Sequence, residues 1–339
     1  MTVQQPEISP ETSGDKIGVL LISLGTPDAP TYSAVRRFLK EFLSDKRVIE
    51  TPRLLWLPIL WGPILTLRPL KSARAYAKIW DYERGESPLR TYSRNQAEKL
   101  QQAVGGKAEI AWAFRYGSPS IEDGLKELQE KGCGKILLFA LYPHYSATTV
   151  ATAYDEAFSV LKTMRWQPAV RTVPVYFADP AFIEVMAKSI NSSLAGIDWQ
   201  PDVLLASYHS IPKAYSDKGD PYLSQCNLTS DLLRTALGVD DTYLQSSFQS
   251  RVGVTEWVRP YTDEAVKALA AKGVKKLAVV TPAFTADCLE TLEEIDIELR
   301  ETFLKAGGTH FHYVPCLNDS DNGIRVFENV SLRELAGWL

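Results

Sequence analysis

Cysteine is scarce in this chain: the four residues Cys133, Cys226, Cys288 and Cys316 are spread through 339 positions. No C-x-x-C pair occurs and no spacing suits a zinc site or an iron–sulfur cluster, so they read as reduced thiols of a cytoplasmic protein. Lysine and arginine form no block, and a formal net charge of −4 offers no general attraction to phosphates. Nucleic acid is therefore not an expected partner. The opening MTVQQPEISPETSGDK is polar and acidic and lacks the apolar run of a secretory signal, so residues 1–17 are expected to form a disordered tail. The most apolar stretch, LLWLPILWGPILTL from Leu54 to Leu67, has 14 residues and two prolines between Arg53 and Arg68. That is too short to cross a bilayer. SLGTPDAP lacks the glycines of a dinucleotide or P-loop fingerprint, and neither G-x-S-x-G nor H-E-x-x-H occurs.

What is present is a strand-and-helix alternation. KIGVLLISLGTP is a short apolar run closed by a Gly/Pro turn, the pattern of a strand buried on both faces of a parallel sheet. TYSAVRRFLKEFLSD follows with Thr31 or Ser33 as N-cap and Val35, Phe38, Leu39 and Phe42 close to helical spacing. The pattern recurs through AEIAWAFRYG, SIEDGLKELQEKG and KILLFALYPHYS, which predicts βαβ units. The second half then repeats the first. GVLLISLGTP lies over DVLLASYHSIP at an offset of 184, and PSIEDGLKELQEKGCGKI lies over PYTDEAVKALAAKGVKKL at an offset of 141. The chain also exceeds the roughly 250–300 residues at which single cores stop growing. The expected fold is α/β, with two similar Rossmann-like lobes, each a parallel sheet flanked by helices, and the active-site cleft between them. The lobes are set at 18–172 and 173–320, with a C-terminal helix in 321–339 packing back on them.

In such sheets ligands bind beyond the carboxyl ends of the strands. LLASYHSIP places His209 at one of these ends. In DCLETLEEIDIELRE, Glu290, Glu294 and Glu298 recur every fourth residue and would line one helix face. That spacing alone also fits a solvated acidic face, since Leu289, Leu292, Ile295 and Leu299 cover another side. The row begins directly after the strand end VVTPAFT, however, so Glu290 is expected in the same cleft as His209. A carboxylate row beside an imidazole suits iron, cobalt or zinc. Aromatic and basic residues at other strand ends, Arg115 and Tyr116, Tyr142, and Trp257, point to a flat apolar ligand with anionic substituents. The apolar segment 54–67 would form either a greasy lip able to touch a membrane surface or a packed, helix-breaking loop.

Taken together, SYHSIPKAYSDKGDPY, TPAFTADCLETLEEIDIE, FRYGSPS, YPHYSATT and GVLLISLGTPD resemble the ferrochelatases, which insert Fe(II) into a porphyrin at the end of haem synthesis. The resemblance runs from about residue 18 to the C-terminus. It implies two Rossmann-like lobes around a porphyrin cleft, with protoporphyrin IX and Fe(II) as substrates. It implies that His209 and Glu290 face the macrocycle centre, as catalytic residues and metal ligands, and that Asp287, Glu294 and Glu298 extend a proton or metal path. Leu24, Arg115, Tyr116, Tyr142 and Trp257 would line the porphyrin, and Arg68 and Ser87 would hold its propionates. No permanently bound cofactor and no iron–sulfur cluster are expected, because the chain ends at LAGWL without a cysteine-rich extension. A monomer in the cytoplasm, with peripheral membrane contact through the lip, completes the expectation. A chelatase for coproporphyrin III or another tetrapyrrole, and a tetrapyrrole carrier, are the alternatives.

Overall fold

The computed structural model describes residues 16–253 and 255–339; most of the N-terminal tail lies outside them. Among the described residues eight strands form two four-stranded sheets, and every pairing within the sheets is parallel. The first holds β1 (Lys16–Gly25), β2 (Glu109–Tyr116), β3 (Cys133–Ala140) and β4 (Ala169–Thr172) in the order β2-β1-β3-β4. The second holds β5 (Val203–His209), β6 (Leu244–Gln249), β7 (Lys276–Val280) and β8 (His310–Tyr313) in the order β6-β5-β7-β8. The same order twice is the repeat read from the sequence. The helices Ile121–Glu130 and Thr262–Ala271 occupy matching places and bury matching residues, Leu125 and Leu128 in one, Val266 and Leu269 in the other.

Local chemistry sets the boundaries of these elements. Thr31 caps the helix Tyr32–Ser44, accepting from the Ala34 N–H. Ser120 and Asp123 close a capping box on the helix Ile121–Glu130. Helices cover both sheet faces, and β1 and β5 are buried along nearly their whole length for that reason.

The largest apolar cluster draws on both sheets: Val19, Leu21, Leu137 and Phe139 from the first, Leu204, Tyr208, Phe248 and Val280 from the second. The helix Asp321–Glu334 packs on the helix Pro88–Val104 of the first lobe, with Phe327 edge-on to Phe139 at 5.7 Å between ring centroids. A polar seam joins the lobes elsewhere. Asp220, in GDPY, accepts from Ser146 Oγ at 2.9 Å and from the Ala147 N–H at 2.8 Å.

Between β1 and β2 the chain inserts an arm. The helices Arg53–Ile59 and Leu65–Ile79 are joined by a wide-turned segment, Leu60–Ile64, where Gly62 leaves helical geometry just before Pro63. Leu60 and Leu65 are fully buried and hold the arm down, while Leu54 (89% exposed), Leu55, Ile59, Trp61 and Leu67 stand in solvent. The apolar segment is thus a kinked helical projection rather than a packed loop.

Candidate active site

β5 ends at His209, half-buried at the carboxyl edge of the second sheet. Its Nδ1 lies 2.6 Å from the Ser210 carbonyl. A carbonyl only accepts, so Nδ1 carries the proton and Nε2 is left as the basic nitrogen. Opposite His209 in the parallel register stands Gln249, almost wholly buried. Its Oε1 accepts from Ser207 Oγ at 2.6 Å, and its Nε2 donates to the Glu290 carbonyl at 2.7 Å. One side chain therefore ties the histidine strand to the helix that carries the acidic row.

That helix departs from the regular α-helix expected. After one turn at Leu289–Thr291 the chain runs as a π-helix over Leu292–Leu299 and returns to α geometry at Arg300–Lys305. Such wide turns are rare and concentrate at functional sites. Here partners outside the helix hold it. The Ser250 N–H donates to Glu294 Oε1 at 2.7 Å and the Ser250 hydroxyl to Oε2, and Lys78 Nζ donates to the buried Glu293 at 2.6 Å. Burial pushes the Glu294 carboxyl up to about 7; the Ser250 bonds work against this, and the charges of Glu290 and Glu298 add to it. Glu298 is exposed at the outer end of the row, its pKa raised by residual burial and by Glu293 and lowered by Lys78 and Lys71. Asp287 leaves the row: it lies before the first turn, sealed among Thr291, Tyr313 and Asn318.

Leu24, Arg68, Ser87 and Glu290 line one cavity, together with Phe38, Tyr76 and Cys288. Ser87 caps the helix Pro88–Val104. No hydrogen bond or ion pair engages Arg68 among the described residues. Burial lowers its pKa, opposed by the charge of Glu290 in the same cavity. Leu24, Phe42 and Leu289 all pack against the apolar cluster that contains Tyr116, which so draws on both lobes.

Arg115 and Tyr116 form a separate polar knot. Arg115 donates to Asp45 at 2.7 Å and to Thr152 Oγ1 at 2.8 Å, and the Tyr116 hydroxyl reaches Asp45 at 2.8 Å. Burial by itself would push the Asp45 carboxyl up, but bonds from Thr152, the Arg47 N–H and Tyr116, with the Arg115 charge, hold it below its ordinary range. Tyr142 lies between this knot and the acidic helix. Burial raises its hydroxyl pKa far up; Tyr116, Cys288 and Glu290 add to this and Arg115 opposes it. Trp257 bridges Pro212 just beyond His209, and its Nε1 donates to the Val252 carbonyl at 2.8 Å.

A sequence model of the ferrochelatases matches residues 16–335. The chain belongs to the ferrochelatase family. The ferrochelatase of Allorhizobium ampelinum is 54% identical over 336 residues, 98% of each chain. That of Brucella anthropi is 54% identical over 326 residues, 96% of this chain and 93% of its own. Among solved structures, SirB from Bacillus subtilis with Fe3+ aligns over 95% of this chain and 96% of its own at TM-score 0.56 and 13% identity. A multi-domain Deinococcus radiodurans protein described as similar to chelatases aligns at TM-score 0.53 and 12% identity, over 96% of this chain and 56% of its own. At such identities these two show a shared fold.

Four residues of the candidate site escape a reading by motif: Gln249, Ser250, Asp45 and Lys78. Gln249 ends β6 and Ser250 follows it directly, so the strand-end rule that singled out His209 points at them as well. Asp45 and Lys78 each end a helix, and no local spacing marks them. His144, which the YPHYS motif places beside Tyr142, is a core residue. Its Nε2 donates to Thr229 at 2.8 Å, and burial drives its pKa down to about 3.

Proposed function

We infer that this chain inserts Fe(II) into protoporphyrin IX, releasing two protons and giving haem, with His209 as the first proton acceptor. The observation that supports this assignment of roles is the Gln249 link, which ties the strand that ends in His209 to the backbone of the cavity-lining Glu290. A free porphyrin holds two N–H protons, and its nitrogen lone pairs lie in the ring plane. Metal insertion needs the ring bent, both protons removed and iron stripped of water. A shaped cleft supplies the bending from binding energy. His209 Nε2 accepts a pyrrole proton or briefly ligates the metal, Glu290 takes the proton on, and Glu294, poised near neutrality, passes it toward exposed Glu298. Arg68, with the hydroxyl of Ser87, holds the propionates, and Leu24, Tyr142 and Trp257 bound the macrocycle.

No helix among the described residues is long and apolar enough to cross a membrane. The exposed arm, with Arg36 and Lys40 set over Trp61, suits shallow contact with an anionic lipid surface by a monomeric cytoplasmic enzyme.

The test is an anaerobic absorbance assay of the purified protein with Fe(II) and either protoporphyrin IX or coproporphyrin III. Haem formed faster from protoporphyrin supports the reading, and faster turnover of coproporphyrin transfers it to that substrate. Porphyrin binding without turnover of either would leave a carrier.

A further inference from the structure

Asp287 is a carboxylate of the motif that the proton path leaves unused, and it is far from idle. Its Oδ1 accepts from Thr291 Oγ1 at 2.9 Å and from the Tyr313 hydroxyl at 2.6 Å; its Oδ2 accepts from Asn318 Nδ2 at 2.6 Å. Its own N–H donates to Asn318 Oδ1 at 2.7 Å, so the two residues close a paired contact. The Asn318 carbonyl in turn accepts from Gln96 Nε2 at 2.9 Å. Gln96 is fully buried and belongs to the helix Pro88–Val104, whose cap is Ser87. On the same helix, Asn95 holds the Asp319 carboxylate at 2.9 Å. An unbroken line of hydrogen bonds thus runs from the helix at the Ser87 end of the cavity, in one lobe, to Thr291 in the first turn of the acidic helix, in the other. Glu290 is the neighbour of Thr291.

A relay group needs a lone pair free to take a proton and a route along which to give it up. Both oxygens of Asp287 are already committed to donors, and the carboxylate is sealed from the cleft. We propose that Asp287 is a positioning residue, which with Asn318 fixes the start of the acidic helix, and hence Glu290, against the porphyrin-holding helix, and that it takes no part in the proton relay. This rests on the reading of Glu290 given above.

An exchange of the two side chains separates bracing from proton transfer. D287N sets an amide NH2 against Asn318 Nδ2, donor to donor, and turning Asn318 over only sets its Nδ2 against the residue 287 N–H. In the double variant D287N/N318D every bond is restored: the new amide oxygen accepts from Tyr313 and Thr291, its NH2 donates to the new carboxylate, and that carboxylate keeps the residue 287 N–H. D287N is expected to lower kcat by about tenfold or more, as for a misplaced catalytic group, with the porphyrin Kd and the shape of the pH profile unchanged. The double variant should recover kcat to within about threefold of the parent, allowing for ordinary non-additivity. If D287N fails to fold, the double variant decides alone. A folded double variant as slow as D287N, or one with a displaced acid limb, would show that the carboxylate itself is needed at position 287. Parental kcat in D287N, or a double variant that does not fold, would equally overturn the proposal. A parent without turnover would instead remove the chelatase reading. The unfolding temperatures of the parent, both single variants and the exchange would still report whether residues 287 and 318 are coupled.

Discussion

The two lobes share a strand order and differ in what stands at the end of the central strand. β5 ends in His209; the matching place on β1 is Gly25. Gly25 has φ of 111°, and a Cβ there would lie 1.8 Å from the Tyr116 carbonyl oxygen, so this position excludes any side chain. The crossovers that follow differ in the same sense. Residues 26–108 hold the arm, Arg68 and Ser87, whereas residues 210–243 are a short helical return. On the proposed reading most of the recognition would fall to the first lobe and the proton transfer to the second, so each is open to separate disruption.

The sharpest break is His209→Ala. Loss of a general base should lower kcat by roughly 10²–10⁴-fold, while porphyrin binding, followed by fluorescence quenching, stays near the parental Kd. Parental kcat in this variant would end the division of labour. Next comes Gly25→Ala, which should cost about 3 kcal/mol or more of stability in urea unfolding through overpacking and a forbidden φ. Arg68→Ala follows. It should raise KM for porphyrin about tenfold, as for a hydrogen bond to a charged group, with a smaller fall in kcat, because a propionate is held equally before and during insertion. Equal falls in kcat and kcat/KM would place Arg68 in the transition state instead.

The titrations contrast the lobes more finely. Glu294, in the second, has its folded pKa raised, so its contribution to stability is complete below its unfolded value and is lost as pH rises through about 7. Asp45, in the first, has its folded pKa depressed. Its contribution is present above the unfolded value and is lost as pH falls through the folded one. Glu294→Gln should therefore gain stability relative to the parent at pH 8 and lose that advantage at pH 5, as seen in unfolding temperatures. Ser250→Ala removes the hydroxyl bond that helps hold the Glu294 pKa down and leaves the backbone N–H bond in place, so the acid limb of kcat should move to higher pH; an unmoved limb would take Glu294 out of the relay. The smallest effect should come from Leu54→Ser with Leu55→Ser, which ought to weaken sedimentation with anionic vesicles and leave kcat in detergent unchanged.

Much of this was legible in the sequence for one reason: apolar strands closed by turns mark carboxyl ends, and such ends carry chemistry in parallel sheets. His209 and Glu290 were visible by residue type at those places, and the repeat by counting. Asp287 was placed on the proton path by the family resemblance, not by the spacing that picked out Glu290, Glu294 and Glu298. The helix begins only at Leu289, so Asp287 faces the other way, into its bonds with Tyr313 and Asn318. The π-helix was not legible in the spacing, and the residues that bind its carboxylates, Ser250 and Lys78, lie on remote elements. Asp45 went unseen for the same reason, since its partners Arg115 and Thr152 meet it only in the folded chain.

The apolar cluster that draws on both sheets bears on how the protein melts. Neither sheet owns the layer formed by Phe139, Tyr208 and Phe327, so unfolding one half strips that layer from the other. Calorimetry should accordingly record one endotherm, with calorimetric and van't Hoff enthalpies in agreement. A chain cut between the lobes near Pro180 would yield two fragments, each with a large greasy face open to water. Those halves should be insoluble when expressed singly and recoverable when expressed together.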